Sequence, residues 1–155
     1  MSKRIAIAVI TGFFIIFNAS ATTVSFHVIE TGISDEAGLR QSELWETAFM
    51  DVFFDAGYIV SNSPVMRIER KPSDILRLID FEEAVDCGVD YLLVAQLDYM
   101  PNIAGPGEIT FYIYKVSSQE KVVERSIPGS RPRVIRDEYE NMKSIARGFV
   151  PYIGR

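Results

Sequence analysis

One apolar stripe fixes the kind of fold open to this chain. Trp45, Ala48, Phe49, Val52, Phe53 and Ala56 recur at the three-and-four spacing that lines one side of an α-helix. Glu43, Glu46, Asp51 and Asp55 fall outside the stripe. Gly57 stands where a helix commonly turns left-handed and stops. Before the helix, Thr23-Val24-Ser25-Phe26-His27-Val28-Ile29 reads as a β-branched, half-alternating strand, and Tyr58-Ile59-Val60 follows it as a short second one. A strand, a helix and a strand in this order call for parallel pairing through a crossover, and so for a sheet with helices packed on it.

The rest of the chain extends that unit. Thr31 to Glu36 is a turn, and Ser61-Asn62-Ser63-Pro64 is a polar break after the second strand. Ser73 caps a turn containing Ile75, Leu76 and Ile79. Asp80-Phe81-Glu82-Glu83 has capping-box spacing for a helical segment that closes at Gly88. Tyr91 to Leu97 starts apolar on both faces, as a strand covered on both sides must. Gly105-Pro106-Gly107 reads as a hairpin loop. Beyond it Ile109 to Val116 forms a strand with Phe111 and Ile113 on one face and Tyr112 and Tyr114 on the other. Lys121 to Ile127 returns antiparallel, and a final helix carries Ile135, Tyr139, Met142, Ala146 and Phe149 on its apolar side. The expected fold is α/β: a single mixed sheet of about five strands in the order β-α-β-α-β-β-β-α, with helices packed on it.

The N-terminus reads as an address. Lys3 and Arg4 precede an apolar run from Ile5 to Phe17, and Ala19-Ser20-Ala21 supplies the small residues of a signal-peptidase site. A bilayer-spanning helix needs about 20 apolar residues, so this shorter run is expected to be a cleaved signal rather than an anchor. Residues 1–21 are thus expected to be removed, leaving residues 22–155 as a single domain. Export points to the periplasm. Cys87, far from the cleavage site, cannot accept a lipid there, so no membrane anchor is expected after cleavage.

Composition then narrows the function. Without Lys3 and Arg4 the mature chain has 14 basic against 21 acidic residues, a net charge of −7. Nucleic acid is therefore excluded as an expected partner, since phosphate contacts need a basic surface. One cysteine closes no internal disulfide.

Three short motifs carry a resemblance. Ala56-Gly57-Tyr58-Ile59-Val60 leaves the first helix for a strand. Ala84, followed by Gly88-Val89-Asp90-Tyr91-Leu92-Leu93-Val94-Ala95-Gln96, does the same at the second. Tyr112-Ile113-Tyr114 runs through Ser117 into Lys121-Val122-Val123. Together, over roughly residues 23–150, they resemble the N-terminal domain of the TolB translocation protein and the related α/β domains of the curli secretion protein CsgG and the penicillin-binding-protein activator LpoB. The resemblance implies a periplasmic interaction or assembly module that is not an enzyme, with envelope proteins as partners. The CsgG and LpoB types are lipoproteins, and the missing lipid-accepting cysteine sets this chain apart from them.

Candidate chemistry is sparse. His27 and Cys87 are the only residues of their kinds, so a thiol–imidazole pair is the single nucleophilic arrangement open to the chain. Asp86 beside Cys87 opposes thiolate formation, and a buried packing role is the expectation for the thiol. One His and one Cys make no zinc set, and Glu82, Glu83, Asp86 and Asp90 lack the spacing of a calcium loop, reading instead as a solvated face. No cofactor, metal or catalytic residue is expected. The candidate partner surface comprises Tyr99, Tyr112 and Tyr114, which either lie exposed near the hairpin or cover a helix, and a basic stretch of Arg125, Arg131, Arg133 and Arg136, which otherwise reads as solvated charge. The alternatives are a small exported hydrolase using an unidentified carboxylate pair and a soluble periplasmic ligand carrier. An exposed sheet edge favours the interaction module, and an apolar pocket of several hundred Å³ favours the carrier.

Overall fold

The computed structural model describes residues 21–32, 36–100, 105–129 and 135–154, with residues 36–40, 135 and 136 described for their backbone only. Strand β1 (Thr23–Thr31) leads to helix α1 (Glu36–Asp55), then to β2 (Ile59–Asn62) and β3 (Met66–Ile68). A 3-10 turn (Ile75–Leu78) and the short helix α2 (Phe81–Asp86) connect to β4 (Tyr91–Tyr99). Strands β5 (Pro106–Lys115) and β6 (Glu120–Pro128) and helix α3 (Ile135–Arg147) complete the order. The described strands form one six-stranded sheet, β2-β1-β4-β5-β6, in which β3 also pairs with β1. Strands β2, β3 and β4 all run parallel to β1, whereas β4–β5 and β5–β6 are antiparallel. This is the mixed α/β sheet the sequence implies.

The two helix-to-strand steps have the same construction. After α1, the Gly57 N–H donates to Phe54 O at 2.9 Å and the Tyr58 N–H donates to Phe53 O at 3.1 Å, with Gly57 at φ +91°. After α2, Gly88 (φ +69°) and Val89 repeat the pair onto Val85 O and Ala84 O, each at 2.9 Å. Both are Schellman closures, which need a left-handed residue and so favour glycine. The accompanying apolar clasp is Phe53 against Tyr58, with ring centroids 5.7 Å apart, in the first case. Each closure delivers the chain straight into a parallel strand.

Phe49 organises the main core. Its ring stacks on Phe26 at 4.7 Å and on Phe111 at 5.2 Å, and lies 5.9 Å from Phe149 of the C-terminal segment. Trp45, Ala48, Val52 and Phe53 of the predicted stripe are buried with it, and Met142 and Ala146 of α3 close the same layer. Ala56 lies beyond the helix end and is exposed. Alternation along the strands sends Val24, Phe26, Leu93, Ala95, Phe111 and Ile113 into this layer.

The opposite face is covered more thinly. Ile29, Leu92, Val94, Tyr112, Tyr114 and Val116 lie beneath Ile75, Ala84 and Val89. The covering pieces are the 3-10 turn, capped by Asp74 rather than Ser73, and α2, capped by Asp80 through a 2.9 Å bond from the Glu83 N–H. They seal the face over β4 and β5 and leave its β1–β2 margin uncovered.

Three further details differ from the sequence reading. β3 is a sixth strand: Met66, Arg67 and Ile68 pair with Ile29, Glu30 and Thr31 after the Pro64 interruption. β5 begins at Pro106, so the Gly105-Pro106-Gly107 stretch enters the strand instead of forming its loop. A bulge at Asp98–Tyr99 brings Tyr99 opposite Pro106 and accommodates a residue with no N–H at the strand start. Finally, Cys87 is exposed rather than packed. The expected signal segment lies outside the described residues, as does most of the turn after Gly32. Among the described residues no helix is long and apolar enough to cross a membrane.

Candidate functional site

The thinly covered face opens into a groove of about 570 Å³ beside β2. Parallel register sets Ser25 opposite Ser61, and Ile29 opposite Met66. Alternation then places Ser25, His27 and Ile29 of β1 on one face with Ile59, Ser61 and Met66 of the edge strands. Leu92 continues this floor, and the α2 segment supplies the facing wall with Asp80, Glu83, Ala84 and Cys87. The groove exists because α2 is short, covering β4 without reaching β2.

His27 sits in this groove. Its Nε2 lies 3.1 Å from Ser25 Oγ and 3.4 Å from Ser63 Oγ. Burial pushes its pKa down, so the imidazole is neutral at neutral pH. Among the described residues no carboxylate hydrogen-bonds the ring, so the orienting acid of a serine–histidine–acid arrangement is not supplied. Asp80 accepts the Glu83 amide as a helix cap. No group of three or more His, Cys, Asp or Glu side chains is placed to hold a metal ion among the described residues. The arrangement offers hydroxyls, a neutral imidazole, apolar surface and two carboxylates on a rim.

The structure takes the covering alternative for the three tyrosines. Tyr99, Tyr112 and Tyr114 are 6%, 8% and 1% exposed. Tyr99 packs in the α1–α3 layer, whereas Tyr112 and Tyr114 stack at 6.2 Å on the other face beneath the 3-10 turn and α2. Burial raises the pKa of both phenols. Alternation separated the faces correctly, but it does not say which face is covered. Arg125 lies on exposed β6 with its guanidinium 5.9 Å from the Phe149 ring. Arg131 and Arg133 lie outside the described residues, and Arg136 is described only as a backbone position of α3. The three tyrosines are therefore buried on two different faces of the sheet.

The groove is what sequence reasoning missed. Its signal was a lone histidine within a strand, two residues from Ser25, followed later by the serine-rich Ser61–Ser63 segment. The solvated reading of Glu82, Glu83, Asp86 and Asp90 agrees with their exposure, although Asp90 Oδ2 also accepts the Thr23 N–H at 2.8 Å.

Comparison with known proteins supports the architecture. The PelC dodecamer from Paraburkholderia phytofirmans is similar at 15% identity and TM-score 0.53, over 85% of this chain and 89% of that one. TolB from Acinetobacter baumannii aligns with 84% of this chain and 28% of its own, at 15% identity and TM-score 0.45. A lipoprotein from Neisseria meningitidis aligns at 12% identity and TM-score 0.49, over 84% of this chain and 99% of its own. At such identities the likeness is one of fold, and the PelC alignment carries it. No curated protein matches the sequence. A family model described as "Uncharacterised protein" matches residues 23–131, and the chain belongs to that family.

Proposed function

We propose that this chain is a non-catalytic interaction module of the bacterial envelope, exported through a cleaved signal and acting by contact with another envelope protein. The observation that carries this reading is the open β2–β3 margin, where Ile59 and Met66 are exposed beside the groove. The basic and apolar N-terminus with its Ala19-Ser20-Ala21 site supports export. The fold shared with the PelC dodecamer, an assembled protein, is in keeping with a role in assembly.

The test places a photocrosslinking residue at position 59 or 66 of the chain expressed with its own leader, and at position 121 on β6 as the control. Recovery of the same envelope protein from 59 and 66, and not from 121, is the expected result. Equal capture from all three positions, or retention of the product in the cytoplasm, overturns the reading.

The groove's volume favours one second reading, a soluble ligand carrier. About 570 Å³ is within the range of small-molecule sites. Native mass spectrometry of the protein from the envelope fraction separates the two: a co-purifying small molecule lost on substituting Ile29 or Leu92 supports the carrier.

A further inference from the structure

The two edges of the sheet are guarded differently. β6 has Glu120, Lys121, Glu124 and Arg125 along its exposed length. Charges of this kind discourage a further strand from pairing. β2, Ile59-Val60-Ser61-Asn62, is exposed and uncharged. The amides of Ile59 and Ser63 donate inward, to Thr22 O at 3.0 Å and Phe26 O at 3.3 Å. Alternation directs those of Val60 and Asn62 to the outer side, where an added strand would meet them.

The groove beside that edge has a definite polarity. Among the described residues no lysine or arginine lines it, while Asp80 and Glu83 stand on its wall and the imidazole in its floor is uncharged at neutral pH. The floor carries apolar Ile29, Met66 and Leu92 beside the hydroxyls of Ser25 and Ser61. Side chains of a strand added to β2 project alternately onto this face, so every second residue of the occupant enters the groove.

Building on the interaction reading above, we infer that β2 accepts an extended segment of a partner protein by strand addition, with alternate apolar and basic side chains of that segment entering the groove. The backbone pairing supplies affinity in this mode. The carboxylates of Asp80 and Glu83 supply the preference for a basic residue.

The probe is the acetylated, amidated hexapeptide Thr-Ile-Thr-Arg-Thr-Ile, titrated into the ¹⁵N-labelled chain, against a counterpart with Glu in place of Arg. The expected result is amide shifts confined to residues 25–29, 59–66 and 80–92, with the Glu peptide at least about tenfold weaker. Asn62→Pro removes an outward donor, together with the Asn62 side-chain bond to Glu46, and leaves the β1 ladder in place; it is expected to weaken the Arg peptide about tenfold, whereas Asn62→Ala, which loses only the side-chain bond, is expected to bind as the parent does. Asp80→Asn with Glu83→Gln keeps the helix cap through the amide oxygen, and is expected to bring the two peptides within about twofold of each other. Equal binding of both peptides to the parent, shifts centred on β6, or an unaffected Asn62→Pro overturns the inference. So does sedimentation of the chain as an oligomer that Asn62→Pro disperses, which assigns the edge to a second copy. Failure here alongside specific crosslinking from positions 59 and 66 rejects strand addition alone, and failure of both rejects the interaction reading itself.

Discussion

Arg67 on the edge strand β3 reaches 2.9 Å from Glu30, a carboxylate only 1% exposed at the end of β1. The other Glu30 oxygen accepts the hydroxyl of Ser42 from α1. One buried carboxylate thus ties the first helix and the interrupted edge strand to the same point of the sheet. Removing one partner of a buried ion pair commonly costs about 3–5 kcal/mol, and Glu30 keeps its other contacts, the Ser42 hydroxyl among them. Arg67 is half exposed, so water offsets part of that loss. Arg67→Met is expected to destabilise the fold by about 2 kcal/mol in urea denaturation. Glu30→Gln combined with Arg67→Met should cost less than the two singles together, by about 1 kcal/mol. Strictly additive effects would show that the pair is not coupled.

The helix closures allow backbone conformation to be separated from crowding. A Cβ built on Gly57 meets nothing within 4 Å, yet the residue sits at φ +91°. Gly57→Ala is therefore expected to cost about 1–2 kcal/mol through left-handed strain alone. At Gly129 a Cβ would fall 1.7 Å from Pro106 O, a backbone atom with little room to move. Gly129→Ala should lower the urea midpoint considerably more than Gly57→Ala. The reverse order would mean that the β5–β6 end yields more easily than its packing implies.

The two closures also show why much of this fold was legible. Gly57 and Gly88 each end an apolar run and precede a β-rich one, and local backbone chemistry suffices to read both as stops. The Trp45–Phe53 stripe is equally local, because a helix face declares itself by spacing. β3 is not local: three residues, Met66-Arg67-Ile68, become a strand only because β1 lies alongside. The fate of Tyr112 and Tyr114 depended on whether Ile75 and Ala84 would be laid over them, and neither short element has a periodicity long enough to announce that. The groove is harder still, since it exists through what α2 does not reach. His27 was visible as a residue with Ser25 two positions away, while Ser63, just past the end of β2, reaches it only because β2 lies parallel to β1.

His27 gives a pH signature. Burial lowers its folded pKa below the ordinary 6.5, so the native state holds fewer protons than the unfolded chain between those two values. As pH falls through 6.5 the unfolded chain gains the proton first, and stability declines until the folded value is passed, where the loss levels off. Among the described residues Asp80, Glu83 and Cys87 are the other titratable groups lining the groove. The urea midpoint of the parent is expected to drop between pH 7.5 and pH 5.5, and His27→Gln should remove part of that drop. Identical slopes for parent and variant would place the acid sensitivity elsewhere.

Gln96 is a buried amide with one side unsatisfied. It is 2% exposed, and its Nε2 has no hydrogen-bond partner among the described residues. Its Oε1 accepts the Tyr112 hydroxyl only at 3.4 Å. Thr110, directly across the β4–β5 ladder, is engaged with Ser126 at 2.9 Å. An unpaired buried donor costs about 1–3 kcal/mol, whereas replacing both partners by apolar groups of similar shape is often neutral. Gln96→Met alone exchanges one orphan for another, because the Tyr112 hydroxyl then loses its acceptor. Its effect should lie within about 1 kcal/mol of zero. Gln96→Met with Tyr112→Phe removes both polar groups, and the double variant is expected to be at least as stable as the parent in thermal and urea unfolding. A loss above about 2 kcal/mol in the double variant would instead reveal an ordered water bonded to the amide, since such waters are costly to remove.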